Sequence, residues 1–236
     1  MRPVLLSLLL SASAISTFAQ TARMRLGFTA GTTVGWAAKE NQLSTNFFAV
    51  SRAGFQGGVI NTIDVGEHFF SSLGLNYSIQ SFGLKQTGIA AVGVDARFRT
   101  HNLELPLTLG YKGYLGSLLH REYIGAGMQF NLSTAQNVKL SGDSSSYITY
   151  TTSADVKTSA YPVLIAGFEV GSVFGNDAAL FFGASFRYGM QNVSNVSLTT
   201  NRFVGQYASY NGTYLGIGIT YYLPRYSYWF KREFIY

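Results

Sequence analysis

Bulky apolar residues recur at every second position along most of this chain, and eight such runs predict eight β-strands. The clearest is 101–111, HNLELPLTLGY. Leu103, Leu105, Leu107 and Leu109 fall on one face; Glu104, Pro106, Thr108 and Gly110 fall on the other. The same period predicts strands over 25–36, 54–65, 70–80, 123–132, 161–171, 179–190 and 213–223. In 25–36, Phe28, Ala30, Val34 and Trp36 oppose Gly27, Thr29, Gly31 and Thr33. In 179–190, Leu180, Phe182, Phe186 and Tyr188 oppose Gly183, Ser185 and Arg187. The run 54–65 alternates least regularly.

The second face is unlike that of a soluble sheet. A sandwich or lipocalin turns Lys, Glu and Asp to water. Here that face is mostly Gly, Ser, Thr, Asn and Gln with an occasional charge. Such a pattern suits a barrel turned inside out, apolar towards lipid and small or polar towards its lumen. Runs of this length span a membrane when tilted. The connections support the reading. Long ones (37–53, 81–100, 133–160 and 191–212) alternate with shorter ones, as outer loops alternate with periplasmic turns in outer-membrane barrels. The long connections are rich in Ser, Thr and Asn and are expected to be solvated loops. The fold expected is therefore an all-β, eight-stranded antiparallel transmembrane barrel.

Composition sharpens this. Charged residues are only 12% of the chain, about half the usual share, while Gly (26), Tyr (16) and Phe (18) are abundant. There is no cysteine, so disulfides and thiolate metal sites are excluded. The net charge is +6, but the basic residues are scattered. Nucleic acid is thus not the expected partner; outer-membrane lipid or lipopolysaccharide is. Residues 1–19 read as a signal peptide, with Arg2, the apolar run VLLSLLL and small residues Thr17 and Ala19 before the cut. Residues 20–223 then form the barrel and 224–236 an aromatic, basic tail. No apolar run reaches the roughly 18 residues of a membrane helix.

Four charged residues fall on lumen-facing positions: Arg25, Glu104, Glu169 and Arg187. By height, Arg187 meets Glu104 in the outer half and Arg25 meets Glu169 near the periplasmic end, so two lumenal ion pairs are expected. Pro106 has no N–H for the ladder, and a bulge or local break is expected there. His68, His101 and His120 show no metal-ligand spacing, and neither a metal nor a cofactor is expected. Gly125-Ala-Gly127 and Gly216-Ile-Gly218 fall within strands, where nucleotide loops do not.

The element Leu103-Glu104-Leu105-Pro106-Leu107, the FAQ at the end of the leader and the eight-strand layout resemble the small outer-membrane β-barrel proteins of Bacteroidetes, the PorT-like or "porin family" barrels. The likeness extends over nearly the whole mature chain. It implies an eight-stranded barrel in the outer membrane, of a family largely without assigned activity. Three function classes follow. One is a non-enzymatic barrel with a structural, binding or narrow-transport role, meeting an extracellular or periplasmic protein partner. Another is a lipid-modifying enzyme of the outer rim, with His101 its one candidate residue. The third is a soluble, lipocalin-like periplasmic binder.

Overall fold

Alternation of Gly and small polar residues with Leu, Phe, Ile and Tyr gives each run one thin and one thick face, and the sheet closes with the thin face inward. A computed structural model describes residues 23–35, 38–39, 47–86, 93–141, 150–157, 159–175, 177–200 and 203–224. The expected leader, 1–19, and all of the expected tail beyond 224 lie outside the described residues. The described residues form twelve strands: β1 (Arg23–Gly35), β2 (Ala38–Lys39), β3 (Phe47–Val65), β4 (Phe69–Gln86), β5 (Gly93–Leu115), β6 (Leu118–Ser141), β7 (Tyr150–Val156), β8 (Ala160–Val173), β9 (Ala179–Gly189), β10 (Ser194–Thr200), β11 (Phe203–Tyr210) and β12 (Tyr214–Tyr222).

Eight of them close into an antiparallel ring in the order β1-β12-β9-β8-β6-β5-β4-β3. These are the eight strands the alternation predicts, the irregular 54–65 included. The seam runs from Gly27↔Tyr222 to Gly35↔Tyr214. The outer surface is apolar: Leu107 is 56% exposed, Leu109 63%, Phe182 62% and Ile124 71%. Only a hydrocarbon surround makes that favourable. Tight turns join the strands at one end, where Gly66 (φ 66°), Gly116 (φ 63°) and Asp177 (φ 64°) take left-handed conformations. Inside, the narrow ring is packed by its own side chains. Tyr123 stands opposite Gly167 in the β6–β8 register and lies over it; a Cβ on Gly167 would sit 2.3 Å from the Tyr123 ring.

Pro106 makes a local break without a bulge. The β4–β5 ladder pairs Leu73 with Leu107 and resumes at Asn76 with Glu104 in the same register. Gly74 lies beside the proline, its Cβ position 3.0 Å from Pro106 Cγ. The bulges are elsewhere, at Arg52/Phe55 in the β3–β4 ladder and His101/Asn102 in the β5–β6 ladder.

The long connections differ from the expected solvated loops. β3, β4, β5 and β6 continue past the rim as one tall wall, paired as far as Phe47↔Gln86, Gln86↔Val94 and Gly93↔Ser141. β2, β7, β10 and β11, from the long connections 37–53, 133–160 and 191–212, form a second sheet in the order β2-β11-β10-β7. This sheet packs on the inner face of the wall. Phe82, Leu84, Ala96 and Phe98 of the wall meet Val196, Ala208 and Tyr210 in one buried cluster. Phe82 stacks on Tyr210, ring centroids 4.3 Å apart, and on Phe98 at 5.5 Å. The result is an extracellular head built as a small β-sandwich.

The two parts are joined by an inversion of polarity within single strands. Along β4, inward Asn76, Ser78 and Gln80 give way to inward Phe82 and Leu84, all buried, while outward Leu73, Leu75 and Tyr77 give way to exposed Lys85. Below the change the outside is lipid; above it the outside is water and the apolar face must turn in.

Candidate functional site

The lumen is the one enclosed space common to all eight barrel strands, and its side chains form stacked layers. At the short-turn end, Asp64 of β3 receives Lys112 Nζ at 2.8 Å and Arg25 Nε at 3.6 Å. Arg25 and Asp64 are diagonal neighbours, since Arg25 stands opposite Thr62 in the β1–β3 register. Above them Arg121 of β6 faces Glu169 of β8, directly opposite in the ladder, with Nη1 to Oε2 at 3.4 Å. Arg121 also donates to the Tyr222 hydroxyl at 2.5 Å and lies 3.9 Å above the Phe70 ring. Thr220 donates to the other Glu169 oxygen at 3.1 Å. A buried guanidinium thus has a carboxylate, a hydroxyl and an aromatic face around it, as its desolvation requires.

The middle of the lumen holds a cavity of about 60 Å³, lined by Thr29, Gln56, Asn76, Thr108 and Ser185 among others. That is room for a few water molecules. Glu104 of β5 and Arg187 of β9 meet across the barrel at the outer side of this cavity. Arg187 Nε lies 3.0 Å from Glu104 Oε1 and 3.1 Å from Oε2. Tyr214, opposite Arg187 in the β9–β12 register, donates to Glu104 Oε2 at 3.0 Å. Arg187 Nη1 reaches the Ser185 hydroxyl. Glu104 is fully buried. Three strands, β5, β9 and β12, therefore meet at one carboxylate across the bore.

Over this network sits the apolar core of the head. Tyr161, Val163 and Ile165 from the top of β8 join Phe82, Phe98 and Tyr210 in the same cluster. Tyr210 Oη and Gln80 Oε1, hydrogen-bonded, mark where polar lumen meets apolar head. Backbone bonds sew the head to the rim: Val193 N to Tyr210 O at 2.8 Å, Lys157 N to Val193 O at 2.8 Å and Met190 N to Pro162 O at 3.1 Å. Close packing at this joint needs glycine. Gly212 has φ 79°, and a Cβ there would press on the Tyr161 ring at 2.5 Å.

Of the expected pairs, Glu104–Arg187 forms and Arg25–Glu169 does not. Arg25 pairs with Asp64 and Glu169 with Arg121. The reason is proximity: Arg121 is the cross-strand neighbour of Glu169. Arg121 and Lys112 fell beyond the ends of the runs at 123–132 and 101–111, so their inward parity was not read. The strand ends at Leu118 and Leu115 bring both within the sheet.

His101 points outward and is hydrogen-bonded through Nδ1 to the Tyr77 hydroxyl at 2.6 Å. His68 stacks on Tyr111, centroids 5.6 Å apart, and His120 lies 6.4 Å from Phe168, both near the short-turn end. Among the described residues no group of His, Cys, Asp or Glu is arranged to hold a metal.

Residues 18–195 match the family described as outer membrane protein beta-barrel domain. No curated protein matches the chain. Among solved structures it is similar to the outer membrane protein OprG from Pseudomonas aeruginosa, with 10% identity over 86% of this chain and 95% of that one and a TM-score of 0.39. It is similar also to Ail, the attachment invasion locus protein of Yersinia pestis, with 10% identity over 85% of this chain and 99% of that one and a TM-score of 0.36. The family match covers most of the chain, and the closed ring with its apolar belt is the structure such a match requires. The chain belongs to the outer membrane protein beta-barrel domain family and resides in the outer membrane.

Proposed function

We propose that this protein is a non-conducting, non-enzymatic barrel that anchors a folded head at the cell surface for binding. The observation that carries the reading is the stacking of two blocks along one bore. The Glu104–Arg187–Tyr214 bridge crosses the lumen, and the apolar cluster around Phe82, Phe98 and Tyr210 lies above it. A solute on this path would have to displace a buried ion pair and then a packed core. The 103–107 motif supports placing the chain among the PorT-like barrels of Bacteroidetes. Against a rim enzyme stands the position of His101, outside the barrel with its Nδ1 engaged by Tyr77.

The test is single-channel recording of the refolded protein in a planar bilayer. A silent membrane containing protein that shows the heat-dependent gel shift of a folded barrel is expected. Reproducible conductance steps, changed by Glu104→Gln, would replace this reading with a narrow pore.

A further inference from the structure

The outer face of the tall wall changes character sharply along β5. Its odd-numbered residues from 95 to 111 read Asp, Arg, Arg, His, Leu, Leu, Leu, Leu, Tyr, while the even-numbered residues from 96 to 108 are buried. The apolar belt ends at Leu103. Neighbouring strands carry the same change: Arg52 of β3, Lys85 of β4 and Lys139 of β6 share this face with Arg97 and Arg99. In the registers Arg52 and Arg99 flank Ser81, Lys85 and Lys139 flank Asp95, and Arg97 stands opposite Gly83. Asp95 is the acidic side chain of the patch among the described residues, and it is already engaged. Arg52 holds it in a two-pronged ion pair from two strands away. Gly83 permits that reach, since its Cβ position lies 3.2 Å from Arg52 Nε.

Among the described residues none of the remaining cations forms a salt bridge of its own; Asp95, which Lys85 and Lys139 flank, is held by Arg52. Arg97 donates to the Ala53 carbonyl at 3.2 Å and the Ser81 hydroxyl at 3.4 Å. Arg99, Lys85 and Lys139 are exposed. Arg99 is four positions above Leu103, ~13 Å along the strand and ~10 Å along the membrane normal at the tilt of such strands. An arginine side chain spans half that distance and lies down along apolar surface readily. The Arg99 guanidinium is therefore level with the headgroups at the edge of the apolar belt, with Arg97 two positions above it and Lys139, opposite Asp95, higher again on the same face. Planar guanidiniums in pairs are suited to phosphate oxygens.

We infer that the Arg97–Arg99–Lys139 face binds the phosphate groups of an outer-leaflet glycolipid whose acyl chains lie on the Leu103–Leu109 belt. The occupant is a membrane lipid because the cationic patch and the apolar belt are continuous on the same strands: one ligand with phosphate above and acyl chains below meets both. The site does not depend on whether the lumen conducts.

The test uses the full mature protein, folded in detergent, titrated with bis-phosphorylated lipid A and read by native mass spectrometry. Tight adducts are expected for the wild type. Dephosphorylated lipid A should bind at least tenfold more weakly, and so should phosphorylated lipid A to the R97Q/R99Q/K139Q variant. The R97K/R99K variant, which keeps the charge, should stay within about threefold of wild type. R99Q alone changes an exposed side chain and guards against misfolding of the triple variant; it should weaken binding measurably while keeping the heat-dependent gel shift. Equal affinity for the dephosphorylated lipid, or no loss in either Gln variant, overturns the proposal. So does displacement of the lipid by millimolar inorganic phosphate, which would make this a site for free anions.

Discussion

At the scale of the residue, the Glu104–Arg187 pair has the highest stakes. Both side chains are withdrawn from water, and each is the other's counter-charge. Glu104→Ala leaves Arg187 charged and unpaired in the bore, and a loss of about 3–5 kcal/mol is expected. The measurement is the guanidinium midpoint at which the heat-modifiable band disappears. The E104L/R187M double variant removes both charges and should be less destabilised than E104A alone; a simple sum of the single losses would show that the two groups do not interact. A second residue-scale test concerns shape. Gly167→Val puts a side chain where the Tyr123 ring lies, and overpacking of about 1–3 kcal/mol is expected. Adding Tyr123→Ala should recover part of that loss. Glu104 and Arg187 were legible from parity alone. Lys112 and Arg121 were not, because they lie beyond the alternating runs, where a strand meets its turn; Asp64 lies within 54–65, the run whose alternation is least regular. Once those ends are known, the true partners of Arg25 and Glu169 follow from register.

At the scale of the element, the sequence pattern located every barrel strand but stopped short of the outer ends of four of them. The physical reason is the polarity inversion. A search for outward apolar residues ends at Ile79 on β4 and at Leu103 on β5, where lipid ends. Beyond those points Phe82, Leu84, Ala96 and Phe98 still alternate, but with the opposite parity to the belt. Read with one sense throughout, they look irregular and their neighbours look like loop. The second sheet was hidden for another reason: β10 and β7 are rich in Ser and Thr on the face turned to water, where Ser153 and Ser197 are hydrogen-bonded at 2.7 Å. If the head is a packed sandwich, its core should tolerate mutation independently of the barrel. The F82S/F98S variant is expected to keep the heat-dependent gel shift and to become sensitive to extracellular protease in β7, β10 and β11, with the wild type cleaved more slowly there. Cleavage of both proteins at equal rates would mean that these aromatics do not hold the head.

At the scale of the molecule, one wall of the barrel is taller than the other, and the head leans its second sheet on that wall over the bore. A channel would need the opposite arrangement, with polar walls rising clear of the mouth. Eight strands give little spare bore, and here it is crossed at three levels, by ion pairs at the short-turn end, the Glu104 bridge in the outer half and aromatic rings above, with the small cavity of about 60 Å³ between the first two.

The second sheet also draws its strands from opposite ends of the chain. β2 follows the first barrel strand, and its partner β11 directly precedes the last, with Ala38 beside Ser209. Contacts so distant along the chain form slowly, after nearer ones have limited the search. The β1–β12 seam spans still more chain, from Gly27 to Tyr222, and its closure is what brings the adjoining β2 and β11 side by side; hairpins therefore come first, the seam next, and the β2–β11 pairing that completes the head after it. During refolding the heat-resistant band should appear before protection from protease, and the interval between them is the period in which Phe82 and Phe98 have no cover. An assembly pathway that ends with an exposed apolar face at the cell surface makes the last step, rather than insertion into the membrane, the one most exposed to aggregation.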